Sequence, residues 1–115
     1  MTQYQRGDYR AAIEDLREAA SLDPEAPHIL FFLGVSELLD GRPGSAIDDL
    51  GKAIALGDSA YLEEAHFFLA KAYLQEGRIE DAYRELESTV RLGGEREAEA
   101  RGLLIQLPTA NPRPR

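Results

Sequence analysis

The residues of this chain that could do chemistry are few: two histidines, His28 and His66, four pairs of adjacent acids, and no cysteine. The acid pairs are Glu14-Asp15, Asp48-Asp49, Glu63-Glu64 and Glu80-Asp81. A zinc site on a helix needs a second ligand one turn beyond the first, and neither histidine has one in HxxxH fashion. Two carboxylates can share acid/base work only if they converge, whereas neighbours in a helix point about 100° apart. Glu80 and Asp81 stand near a helix start, where acids meet the positive end of the helix dipole. Glu14 and Asp15, between Ile13 and Leu16, read as a solvated face. No phosphate-cradling glycine loop follows a strand, because no segment alternates with period two. The expectation is a protein that is not an enzyme and holds no cofactor and no metal.

What the chain does carry is a phrase written three times. Gly7 opens GDYRAAIEDLREAASLDP, Gly41 opens GRPGSAIDDLGKAIALGD, and Gly77 opens GRIEDAYRELESTVRLGG. The first two glycines are 34 residues apart and the next two 36. Self-similarity at this period marks a solenoid, in which each unit buries its apolar face against its neighbours. In every copy one helix should end just before the glycine and a second should start just after it.

The second helices show paired apolar stripes at helical spacing. Ala12, Ile13, Leu16, Ala19 and Ala20 form the first stripe, with Asp8 as N-cap and Pro24 as the stop. Ala46, Ile47, Leu50, Ala53 and Ile54 form the next, with Pro43 in its first turn and Gly57 after its end. Ala82, Tyr83, Leu86, Thr89 and Val90 follow, closed by Gly93-Gly94. The preceding helices span 27–39, with Leu30, Leu33, Gly34 and Glu37, and 63–75, with His66, Leu69, Ala70 and Tyr73. Gly34 and Ala70, facing Ala46 and Ala82, let paired helices come close. A last helix over 95–107 puts Ala100, Leu103, Leu104 and Leu107 on one side and polar residues on the other, as a solvating cap. This reading gives seven helices. The final segment, 108–115, holds three prolines and is expected to be disordered.

Composition narrows the partners. The net charge is −8, and the first 107 residues carry 21 acids against 11 bases. Such a surface repels phosphate backbones, so no nucleic acid is expected. No apolar run approaches the ~20 residues that cross a bilayer, so no direct membrane insertion is expected. Zero cysteines leave the compartment open between cytoplasm and periplasm.

The unit resembles the tetratricopeptide repeat. Leu33-Gly34, Gly41, Ala46, Leu50, Ala53 and Leu56 fall where that consensus wants them, and Tyr9, Ala12, Asp23-Pro24 and Tyr73 match in the other copies. The resemblance divides the chain into a shortened repeat at 1–26, full repeats at 27–62 and 63–94, and the cap. The large aromatic residue early in the first helix is replaced by Leu30 and by His66, which reads as a partly buried structural histidine. An insertion lengthens the turn over 57–62.

The resemblance implies an all-α, right-handed superhelix whose concave groove binds a protein or peptide segment of apolar or amphipathic character. Family groove positions fall on His28, Phe31, Phe32, Val35, Leu38 and Leu39, then on Glu64, Phe67, Phe68, Lys71, Leu74 and Gln75. Met1, Tyr4 and Gln5 are the contribution of the first repeat. Each adjacent pair, Phe31-Phe32 and Phe67-Phe68, cannot point wholly inward, and Phe31, Phe67 and Leu38 are expected to form an exposed row. Family members that clamp the carboxylates of chaperone tails use amides and cations where this chain has Phe32, Glu64 and Phe68, so that ligand is not expected. A second reading makes the chain a structural or self-association segment of a larger, bacterial multidomain protein. Leu16, Ala19 and Ala20, with little chain upstream to cover them, should form an open apolar strip and a weak homo-oligomer contact at the N-terminal end.

Overall fold

A computed structural model describes residues 2–108, with side chains from residue 8 onward. Six helices are present among the described residues and no strand: α1 (Thr2–Leu22), α2 (Pro27–Leu39), α3 (Pro43–Ala55), α4 (Leu62–Gln75), α5 (Ile79–Leu92) and α6 (Glu97–Gln106). Each packs on the helix before and the helix after, and α2 also touches α4. Nearest-neighbour packing of this kind draws the molecule out to 49 × 33 × 22 Å. The architecture is an all-α superhelical solenoid of helix pairs, capped by α6.

The turns inside each pair follow from the glycines. Gly41 and Gly77 adopt φ of 78° and 76°, the left-handed region where a Cβ would be strained. At each turn two backbone bonds close the helix end. Gly41 N–H donates to Leu38 O and Arg42 N–H to Glu37 O, at 3.1 and 2.8 Å; Gly77 and Arg78 repeat the pattern onto Leu74 and Tyr73. Pro43 then opens α3 at a position whose missing N–H costs nothing.

Gly7 behaves differently, and the expected seven helices become six. The chain passes through Gly7 without breaking, so Asp8 is an exposed interior residue of α1 instead of an N-cap. The physical reason is that a glycine inside a helix costs only about 1 kcal/mol, whereas a break at Gly7 would forfeit the backbone bonds on either side of it. The strip expected to lie open is also partly covered. Ile13 is buried and Leu16, Ala19 and Ala20 are half-buried, because the C-terminal half of α1 packs on α2. The segment 109–115 and the side chains of Met1, Tyr4 and Gln5 lie outside the described residues.

The close approach of α2 and α3 is borne by Gly34. A Cβ at this position would lie 2.6 Å from Leu50 Cγ and 2.8 Å from its Cδ2. Leu50 is fully enclosed and has nowhere to retreat. Gly34→Ala should therefore lower stability by about 1–3 kcal/mol through overpacking, outweighing the ~1 kcal/mol that alanine gains in helix propensity. A thermal midpoint that rises in this variant would show that the two helices have room between them.

Candidate functional site

α2 and α4 present their outer edges side by side, and the expected groove residues divide between this edge and the seam beneath it. Phe31, Leu38 and Phe67 are buried, at 6%, 5% and 0% exposure. They do not form an exposed row. The cause is solenoid packing: the same face of each first helix that looks toward the groove also meets the next unit. Phe31 and Leu38 pack with Ala65, Leu69 and Ala72 of α4, and Phe67 packs with Ala100 of α6. The second member of each pair remains accessible. Phe32 is 45% exposed and Phe68 half-buried. Of the other positions, His28 and Gln75 are exposed, while Val35, Glu64, Lys71 and Leu74 are half-buried.

Two residues outside the expected set complete this surface. Tyr61, delivered by the lengthened turn between α3 and α4, stacks on Phe31 with centroids 5.2 Å apart. It also meets Phe32 edge-on at 5.5 Å, and Phe68 meets Phe31 edge-on at 6.1 Å. Edge-to-face rings at these spacings hold one another more firmly than area burial alone provides. The result is a shelf of Phe32, Tyr61 and Phe68 over a buried floor of Phe31. The insertion was visible in the sequence; that it would carry a ring to this surface was not.

Arg96, between α5 and α6, is the other addition. Its guanidinium lies 4.9 Å from the Phe67 centroid and 5.4 Å from that of Phe68. Its Nε donates to Glu64 Oε1 at 3.1 Å and its Nη1 to Glu99 Oε1 at 2.8 Å. Burial opposes the charge, but these bonds to Glu99 and Glu64 outweigh it and hold the guanidinium above its ordinary pKa. Glu63 accepts from the Gly94 and Arg96 backbone N–H groups at 2.9 and 3.0 Å. The pair Glu63-Glu64 therefore fastens the α5–α6 connection to α4. Lys71 lies 5.1 Å from the Phe67 centroid and, among the described residues, has no ion-pair partner. His66 is half-buried, its Nδ1 2.7 Å from Glu85 Oε1, which ties α4 to α5. An apolar shelf flanked by an ammonium that rests on a ring rather than on an acid can grip an apolar side chain and attract an acid beside it. Among the described residues no cluster of His, Cys, Asp or Glu is arranged to hold a metal.

Comparison with known proteins agrees with the fold. The sequence profile described as "Tetratricopeptide repeat" matches residues 1–61. A search by sequence against curated proteins finds no significant match. By structure, the chain is similar to the type III secretion translocator chaperone SycD of Yersinia enterocolitica, with a TM-score of 0.80 and 20% identity, over 90% of this chain and 74% of that one. It is similar also to SycD in complex with a peptide of the translocator YopD, with a TM-score of 0.79 and 20% identity, over 90% of this chain and 82% of that one. At this identity the likeness speaks for the fold.

Proposed function

The chain belongs to the tetratricopeptide-repeat family, and on that premise we propose that it is a protein-interaction module that holds an apolar or amphipathic segment of another protein on the α2–α4 face. The observation that carries this reading is Phe32. A phenylalanine 45% exposed, propped by Tyr61 and Phe31, is a rigid apolar anchor point where solvation alone would favour a polar residue. The half-buried Phe68 extends the shelf, and Lys71 beside it favours a segment with an acid next to its apolar anchor. That the structurally similar SycD has been seen in complex with a peptide of the translocator YopD supports a protein or peptide partner.

A random-peptide display selection against the full chain tests it. Enriched peptides should carry a large apolar residue with an acid nearby. Phe32→Ala should weaken their binding about tenfold, as loss of a central aromatic anchor does, and leave the unfolding free energy within about 1 kcal/mol of the parent. Peptides that bind Phe32→Ala and the parent equally would place the binding surface elsewhere.

A further inference from the structure

A different opening lies on the other side of α2. Glu37 sits five residues beyond Phe32, about 140° round the helix, and looks into a cleft between α1, α2 and α3. The cleft is an open cavity of about 220 Å³ walled by Arg17 and Ala20 of α1, Leu33 and Glu37 of α2, and Ser45, Asp48, Asp49 and Lys52 of α3. Glu37 is 1% exposed. Its Oε2 accepts one long bond of 3.3 Å from Arg17, whose side chain is half in solvent, and its Oε1 has no hydrogen-bond partner. Buried carboxylate oxygens are almost always bonded, so an oxygen left unpartnered at the wall of a cavity indicates a missing donor.

We propose that this cleft receives a single primary ammonium group, borne either by a lysine side chain of another protein or by a free alkylamine. An ammonium has three donors and no acceptor, and the walls offer it Glu37 Oε1, the Asp49 carboxylate and the Ser45 hydroxyl. The local charge leaves room for it. Three acids, Glu37, Asp48 and Asp49, face two bases; of these, Arg17 holds Glu37 by one oxygen only and Lys52 stands 3.9 Å from Asp49. A multidentate metal does not fit, since these acids do not converge as ligands. Leu33 and Ala20 suit the methylene stem behind the charged head.

The alternative partner for Oε1 is a proton shared with Asp49. Burial, then the neighbouring Asp49 carboxylate, push the Glu37 pKa up to about 8 against the opposing pull of Arg17. An entering ammonium must displace that proton. Its affinity should therefore rise with pH, whereas ordinary surface attraction to acids already ionised would stay flat. An alkylammonium keeps its own charge across this range.

The test is a ¹H–¹⁵N NMR titration of the full chain with n-propylammonium chloride, and separately with a capped Gly-Lys-Gly peptide, against sodium chloride at matched ionic strength. Saturable shifts are expected at Arg17, Glu37, Ser45 and Asp49, tighter by about tenfold or more at about pH 8.5 than at about pH 6. Glu37→Gln and Asp49→Asn should each weaken binding at least about tenfold at the higher pH while keeping the folded spectrum. Tighter binding of the peptide assigns the site to a protein-borne lysine, and tighter binding of propylammonium to a free amine. Shifts that never saturate and match sodium chloride, or saturation unaltered in both variants, would overturn the proposal. The Phe32→Ala peptide experiment reads the opposite face, so either result can fail without the other.

Discussion

Replacing Phe67 by alanine should cost about 3–5 kcal/mol, the range for truncating a fully enclosed aromatic ring, whereas Phe32→Ala should cost less than about 1 kcal/mol. Phe67 is 0% exposed, packs with Ala70, Ala82, Leu86 and Ala100, and carries Arg96 and Lys71 over its face. Removing it leaves a void at the seam of α4, α5 and α6 and strips two cations of their ring. Natural domains are stable by only ~5–15 kcal/mol, so Phe67→Ala stands to lose a large share of the total. Urea melts of the two variants make the comparison. Similar losses from both, or a larger loss from Phe32→Ala, would mean that the burial of these neighbouring positions is reversed in solution.

Glu37→Gln should stabilise the protein at neutral pH and flatten its pH profile. The folded-state pKa of Glu37, about 8, lies above its ordinary 4.5. Between these values the folded protein keeps a proton that the unfolded chain has released. Stability linked to this group is therefore whole below about pH 4.5, declines as pH rises, and levels off above about pH 8. The groups facing it are Arg17 from α1 and Asp48, Asp49 and Lys52 from α3. Glutamine keeps an oxygen for Arg17 and gives an N–H₂ toward Asp49 without a charge to desolvate. A gain of about 1–3 kcal/mol near pH 7 is expected, as when buried charge is replaced by a neutral group of similar shape. Thermal midpoints of both proteins between about pH 5.5 and pH 9 decide it: the parent should fall more steeply than the variant. Parallel profiles, or a variant less stable throughout, would show that Glu37 is ionised and well paired in the folded state.

Much of the architecture could be read in the chain because a solenoid is local. The residues that define α2, for instance, are Pro27 at its first turn, the Leu30/Leu33/Gly34/Glu37 stripe and Gly41 after its end, all within one repeat unit. What could not be read is whatever depends on the neighbouring unit. Phe31 and Phe67 occupy positions that look outward within their own pair and become interior only when α4 or α6 is stacked against them. Gly7 carried the same local signal as Gly41 and Gly77, yet α1 runs through it, since a single glycine costs a helix interior only about 1 kcal/mol. Arg96 had no signal at all, being one base between Glu95 and Glu97 in a connecting segment. Asp48 and Asp49 read only as adjacent acids that diverge on a helix, and the burial of Glu37 beside them is what changes their meaning.

The lengthened connection that brings Tyr61 over Phe31 and Phe32 has a consequence for how such a protein can diversify. A ring supplied by a helix cannot be moved without disturbing the stack that helix belongs to. One supplied by a turn is tied to the stack at its edge alone: Ser59 Oγ accepts from the Tyr61 N–H at 3.1 Å within the turn, and Tyr61 O accepts from the Ala65 N–H at 2.8 Å at the start of α4, a backbone bond that any residue there can make. The surface is thus built from two kinds of part, a fixed bed and an exchangeable insert. Grafting a turn of other length or sequence between Ala55 and Leu62 would alter what the face selects while leaving the helical bed as it is.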